Sequence, residues 1–503
     1  MTDHGSAGGD DADDTDADTE TVVRRDRFAG GPARGFMSSL AADERIFAAD
    51  LAVDRAHTVM LAEQGIVGDD EAAEILSGLA AVEDAGHGAL PDGEDVHEAI
   101  ESAVVAEVGP VGGKMHTARS RNDEVAACIR RRYREDLLDA AEATLVLREA
   151  LLDAAAEHAD TVMPGFTHRQ YAQPVTVGHF LSSYAGAVER DTARLLAAFD
   201  RTNESPLGGA AFGGTTFDID RERTADLLGF DGVVENATDA ASARDFLVEG
   251  TAALATLTAT LSGLSTDLIE HATDGYFLPS DDYASTSSIM PQKVNPDTLE
   301  LVRAVAGDVS GDLTGLLTTL KGLPRAYNRD LQRATPHAWD AVDDATEATE
   351  VVAGAVATGD WDESACAADA GAGFSTATGV ADALASAGIP FRTAHEVVAE
   401  AAATVPDDAD PETLAANLDA AAQEVLGESL YEHVSREDLE AALDPVGSVA
   451  SRASRGGPAP DAVAASLARM TETYDDHEAA VDARRDALAA AETDLTDAVE
   501  SYT

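Results

Sequence analysis

From Glu124 to about Thr161, the residues Val125, Ile129, Tyr133, Leu137, Ala141 and Leu145 advance in steps of four. That spacing stacks them on one face of a long helix. Pro164-Gly165 stops the run. A second face begins at Val177 with Leu181, Tyr184, Val188, Leu195 and Phe199, and a Gly-rich break (Pro206-Leu-Gly-Gly, Gly213-Gly214) closes it. A third helix is expected over about Ala241 to Ala272. A fourth follows Pro296 with Val302, Val305, Val309, Leu313, Leu316 and Leu320, and a fifth spans about Leu331 to Val356. Helices this long, with few strand signals, specify an all-α fold with an elongated central bundle. Apolar faces of this length need partner chains to cover them, so an oligomer is expected.

The pattern shortens on either side of the bundle. Residues 1–22 carry eight Asp/Glu within the first twenty and no aromatic, and read as a disordered acidic tail. Residues 23–115 read as an N-terminal domain of short helices, 116–365 as the bundle, and 366–475 as a small helical C-terminal domain. Residues 476–503 form an acidic, alanine-rich extension, either helical and exposed or frayed.

The 503 residues carry a formal net charge of −60. A field of that sign repels nucleic acid and anionic membrane surfaces. It also loads the folded state with self-repulsion that dissolved cations must screen, so the surface is of the kind suited to a salt-rich cytosol. Cys128 and Cys366 lie in alanine-rich helical contexts without metal-ligand spacing and read as small buried hydrophobes. No metal or other cofactor is expected. Leu247 to Ile269 is apolar but contains Glu249, Asp267 and many threonines, so it reads as a buried helix rather than a membrane span. No signal peptide is recognisable, and the expected location is the cytoplasm.

Three polar segments could carry chemistry. Ser285-Thr-Ser-Ser-Ile-Met-Pro-Gln-Lys-Val-Asn-Pro296 offers hydroxyls, an ammonium and an amide just before a helix, and Pro296 suits its first turn. A lysine and free N–H groups at a helix start favour an anion such as a carboxylate. A Ser/Thr-rich surface linker would have much the same composition. Only three lysines occur, Lys114, Lys293 and Lys321, which favours a specific use for Lys293. His116-Thr-Ala-Arg-Ser-Arg-Asn-Asp123 opens the 124–161 helix; Arg119 and Arg121 can pair with carboxylates, and Ser120 and Asn122 can orient a substrate. The plain reading there is an N-cap with arginines on the outer face. Gly165-Phe-Thr-His-Arg-Gln170 presents His168, a candidate acid/base near neutral pH, although a lone histidine is more often structural.

Taken together these segments closely resemble the argininosuccinate lyase family of the fumarase/aspartase superfamily, from about Asp26 to about Met470. His116–Asp123 is similar to the first family signature, and Met163-Pro-Gly-Phe-Thr-His168 with Gln170 and Ala172-Gln-Pro174 to the second. Ser287-Ser-Ile-Met-Pro-Gln-Lys293 with Asn295-Pro296 is similar to the third. The Pro-Gln-Lys triplet points to this branch. The resemblance implies β-elimination of argininosuccinate to arginine and fumarate, without cofactor, in a homotetramer whose active sites draw the three signatures from three subunits. It implies Ser287 and His168 as the acid/base pair, with Ser288 beside the first. Lys293, Asn295, Asn122 and Thr167 would hold carboxylates, alongside Arg119 and Ser120 of the first signature. Ser39, Tyr327 and Gln332 would contact substrate, and His97 and Glu101 would support the site.

Three positions depart from the family pattern. Arg333-Ala-Thr335 stands where Glu-Asp-Lys is usual, leaving Arg333 as the candidate replacement for the missing charge. Glu124 stands in place of a glutamine, and Thr286 in place of a loop glycine. Two alternatives therefore stay in view: a superfamily lyase of adenylosuccinate or aspartate type, and a non-enzymatic structural protein on the same fold.

Overall fold

In the computed structural model, residues 32–405 and 409–503 are described, so the expected acidic tail lies outside the described residues. Among the described residues the chain forms eighteen α-helices and eight short strands that pair two by two. The fold is all-α, as expected. Five long helices build the centre: Arg121–Glu157, Val177–Thr202, Asp245–Asp274, Asp297–Leu320 and Leu331–Thr358. The first packs on the second and the fifth, and the third packs on the second, fourth and fifth. Their periodic residues meet in one core that includes Leu137, Leu181, Val188, Leu195, Leu261 and Val309, all without solvent contact. Helix Asp245–Asp274 is long and apolar enough to cross a membrane, yet Leu247, Leu254, Leu257, Leu264 and Leu268 are spent in this core. A second apolar core joins the helices of residues 46–115 to the base of the bundle, and a third closes within residues 380–443.

Close approach in the bundle depends on small residues. Tyr133 is solvent-free, and a Cβ on Gly250 would stand 2.4 Å from its hydroxyl oxygen. Gly250→Ala should therefore cost about 1–3 kcal/mol in chemical denaturation, the usual penalty of overpacking. On the same helix, Gly263→Ala would place its methyl no nearer than 3.5 Å to any neighbour. It should be neutral or slightly stabilising, because alanine is the better helix former.

One element differs from the expectation, and another was left open by it. Residues Val162–Thr167 and Gln170–Thr176 form an antiparallel hairpin, with Thr167 opposite Gln170 and Phe166 opposite Tyr171. Pro164-Gly165 in the sequence predicts only a helix break there. The C-terminal segment is one unbroken helix, Pro460–Glu500, packed along Arg121–Glu157 and Val177–Thr202. Only Val463, Leu467, Val481, Ala491 and Leu495 of its 41 residues are buried, a sparse stripe that composition conceals. Arg484 with Asp200, and Arg131 with Glu492, edge that stripe.

Candidate active site

Helix Arg121–Glu157 starts where it does because Ser120 caps it. The Ser120 hydroxyl accepts from Asn122 N–H, and the Asp123 carboxylate accepts from Ser120 N–H at 3.0 Å. The second Asp123 oxygen accepts from the Gly208 and Ala210 N–H groups, at 3.0 and 2.8 Å, which fastens the Gly-rich break over the helix start. Asn122 then donates to the Ala211 carbonyl at 2.9 Å.

Beside this helix start lies a cavity of roughly 220 Å³. Ser39, His97, Asn122, Tyr327 and Gln332, five of the residues expected from sequence, line it. Its polar rim adds Asp43, Glu94, Asp95, Arg121, Arg244 and Arg329, and its floor is apolar, with Ile46, Val125, Ile129, Leu331 and Trp339. The Ser39 hydroxyl donates to Asp43 at 2.7 Å, and Val96 N–H donates to the same carboxylate oxygen at 3.2 Å. Gln332 Nε2 stands 3.5 Å from the Ser39 hydroxyl. Pro336, one turn on, has no N–H to give the Gln332 carbonyl. Thr335 lines the cavity without charge, and Arg333 is exposed and outside the lining. A rim of mixed sign around a dry floor suits a small zwitterion.

Beneath the cavity is a buried network of charges. Asp50 and Asp54 come from helix Phe47–Glu63, His97 from Val96–Val108, Arg119 from the connecting loop, and Glu124 and Cys128 from the first bundle helix. Asp50 lies 2.7 Å from His97 Nδ1, Arg119 lies 2.6 Å from Asp54 and 3.1 Å from Glu124, and the Cys128 thiol donates to Asp50 at 3.3 Å. Three carboxyl groups face two cations. Burial therefore pushes the Asp54 and Glu124 carboxyls well above their usual range, and Arg119 only partly offsets it. Burial opposes charge on His97 too, but Asp50 and then Glu124 outweigh it and bring its pKa to about 10. His57, which meets the Thr117 carbonyl at 2.8 Å, is pushed down to about 3 by burial and Arg119. Asp50, His97 and Cys128 bring donor atoms close enough to hold a metal. The positive charge there is already supplied by Arg119 and His97, so the arrangement works as an ion-pair network.

The network relocates two expected contacts. Arg119 is buried and paired inside the protein, and Ser120 is engaged as a cap, so neither lines the cavity. Glu101 stands 3.7 Å from His116 at the side of the network. Asp43, Asp50 and Asp54 were not picked out from sequence. Their signal was polar residues at helical spacing in an otherwise apolar stretch.

The remaining expected residues lie elsewhere in the chain. Thr167 and His168 are exposed at the hairpin tip, where His168 and Arg169 have φ of +53° and +60°. A two-residue loop with both φ positive fits the twist of a hairpin, and non-glycine residues carry it under strain. His168 faces a cleft with His179, Phe180 and His271, and Arg169 pairs with Glu270 at 2.5 Å. Ser285–Thr286 pairs with Val294–Asn295 as the neck of a second loop. In it, the Ser287 hydroxyl accepts from Met290 N–H at 3.1 Å, and Lys293 donates to the Asn295 side-chain oxygen. Ser288 and Lys293 are exposed, and Ile289, at 83% exposure, covers nothing. None of these groups is among the residues lining the cavity.

Residues 34–311 match the lyase family, and residues 374–450 match the argininosuccinate lyase C-terminal family. Argininosuccinate lyase of Natronomonas pharaonis is 65% identical over 96% of this chain and 97% of its own length. That of Haloarcula marismortui is 64% identical over 92% and 91%. Among solved structures, EDDS lyase in complex with formate superposes with a TM-score of 0.85 at 34% identity, over 94% of this chain and 96% of that one. With its signature segments, its all-helical bundle and relatives of this identity over nearly its whole length, the chain belongs to the argininosuccinate lyase family of carbon–nitrogen lyases in the fumarase/aspartase superfamily.

Proposed function

We propose that the chain cleaves argininosuccinate to arginine and fumarate, the last step of arginine biosynthesis, with Ser287 and His168 as the acid–base pair of a cytoplasmic homotetramer. The chemistry requires taking a weakly acidic proton from the carbon beside a carboxylate. As the C–N bond breaks, its electron pair leaves with the guanidino nitrogen, which takes a proton in turn. One of the Ser287/His168 pair removes the first proton and the other supplies the second. Charge building on the carboxylate needs fixed positive partners. Lys293 and Asn295 at the start of helix Asp297–Leu320, together with Asn122 and Thr167, are suited to that.

One observation carries the reading. In a single chain the cavity with Ser39, Asn122, Tyr327 and Gln332 is distinct from the hairpin tip with His168 and from the Ser287 loop. A complete site needs these groups together, so neighbouring copies must supply some of them. Leu301 and Leu317, 68% and 48% exposed on helix Asp297–Leu320, give such copies apolar surface to cover.

The test is release of fumarate, followed by ultraviolet absorbance, in the concentrated KCl that a net charge of −60 calls for. Release from argininosuccinate, and not from adenylosuccinate, aspartate or malate run in parallel, is the expected result. Silence on argininosuccinate with activity on another compound would assign the Arg333-Ala334-Thr335 departure to a changed specificity. Silence on all four from a folded tetramer would favour a structural role.

A further inference from the structure

His97 sits where the cavity wall meets the buried charges, and its two nitrogens are unequally served. Nδ1 lies 2.7 Å from the Asp50 carboxylate as an ion pair without hydrogen-bond alignment, while Nε2 is buried with neither a hydrogen bond nor an ion pair, although the ring forms part of the cavity wall. Two of the three arginines of the same wall are paired with carboxylates: Arg121 is 3.4 Å from Asp95, and Arg329 pairs with Glu94. Arg244 donates to the Ala243 carbonyl at 2.7 Å, and its Nε is buried without a hydrogen-bond partner. Thr335 adds no charge.

The surroundings of His97 select its protonated form. Asp43, Asp50 and Asp54 act on it from the N-terminal segments, Asp95 from the cap of its own helix, and Glu124 from the first bundle helix. Cys128 stays a thiol, its ionisation suppressed by burial and the neighbouring carboxylates. Against these stand Arg119 and His116, and His116 is itself pushed down to about 4 by burial, then by Arg119 and Arg121. A doubly protonated imidazole presents N–H at both nitrogens. A buried N–H left unmatched in a cavity wall is costly, and a ligand acceptor removes that cost.

We infer that His97 Nε2–H donates to the α-carboxylate at the amino-acid end of the substrate, and that Asp50 and Glu124 are positioning residues that hold the ring in its doubly protonated form. This rests on the lyase reading above, from which the amino-acid end is taken. Asp43 and Asp95 on the same rim supply the opposite charge for the α-ammonium group. The buried network then has a function beyond packing: it fixes a cation in the wall of a cavity where Arg121 and Arg329 already pair with carboxylates.

The experiment compares arginine with agmatine, which is arginine without its carboxylate, by calorimetry on the full-length tetramer, with succinate as the probe of the other end. His97→Gln should weaken arginine by at least about tenfold, the scale of one hydrogen bond to a charged group, and leave agmatine and succinate unchanged. Equal loss of arginine and agmatine, loss of neither, or loss confined to succinate would overturn the assignment. Glu124→Gln tests the positioning role and also serves if His97→Gln fails to fold. It removes one of the carboxylates that favour the charged ring, so arginine affinity relative to agmatine should fall more steeply with rising pH in the variant than in the parent. A profile no steeper than the parent's would overturn the role of Glu124. A parent enzyme that neither binds arginine nor releases fumarate would sink the lyase reading and this inference together. A parent that does both, with a His97→Gln variant that still binds arginine fully, would sink the inference alone.

Discussion

Ser287→Ala and His168→Ala enzymes should each release fumarate at least ~10²-fold more slowly than the parent, with little change in folding stability. The size follows from the task. Proton transfer by a positioned side chain contributes ~10²–10⁴-fold, and each variant removes a group proposed to move the proton. Stability should hold because both residues sit on loop tips with little packing: His168 is exposed, and the Ser287 hydroxyl is tied to loop N–H groups at 3.1 and 3.4 Å. Single-turnover rates and thermal midpoints separate the two effects. The same pair of variants reads out the sharing of sites. If Ser287 and His168 of one site come from different subunits, refolding the two inactive enzymes together should restore activity to about one quarter, the share of sites that random assortment leaves intact. No recovery on mixing would place both groups in the same chain. A rate within a few-fold of the parent for either single variant would remove that residue from the mechanism.

Arg119→Leu should destabilise the fold by about 3–5 kcal/mol, the penalty of breaking a buried ion pair from one side. The guanidinium is 2.6 Å from Asp54 and 3.1 Å from Glu124, and all three side chains are almost without solvent contact. Without it, the carboxyl groups of Asp50, Asp54 and Glu124 remain in a buried site with only His97 as a cation. The sign with pH follows from the directions of shift. The Asp54 and Glu124 carboxyls titrate above their unfolded values, so folding takes up protons there and stability falls as pH rises. Loss of Arg119 raises both further, so the deficit should grow from about pH 5 to pH 8 and shrink in acid, as denaturant midpoints across that range will show. Adding Asp54→Asn and Glu124→Gln to Arg119→Leu should recover most of the loss. If the triple variant is no more stable than the single one, the penalty comes from packing of the arginine stem rather than from stranded charge.

Part of this protein was legible one helix at a time. The steps of four from Val125 to Leu145 and the run from Val302 to Leu320 predicted the bundle, because a helix face is a local property of spacing. Ser120 followed by Asp123 marked a helix start for the same reason. The reaction class came from the resemblance of the signature segments to the argininosuccinate lyase family; the residue types alone left a surface linker and a helix cap open. Other features depended on which distant segments meet. The hairpin at 162–176 escaped because its register rests on pairing across the turn and not on a clean alternation, and the C-terminal extension stayed open between an exposed helix and a frayed end because its buried stripe is sparse. Arg119 and Glu124 were visible as a candidate ligand and a departure from pattern; that they face Asp54 and His97 in one dry site depends on packing the 47–63, 96–108 and 121–157 helices together. Charge pairing and the pKa changes that follow from it are set by distance and burial, and neither is written in the order of residues along the chain.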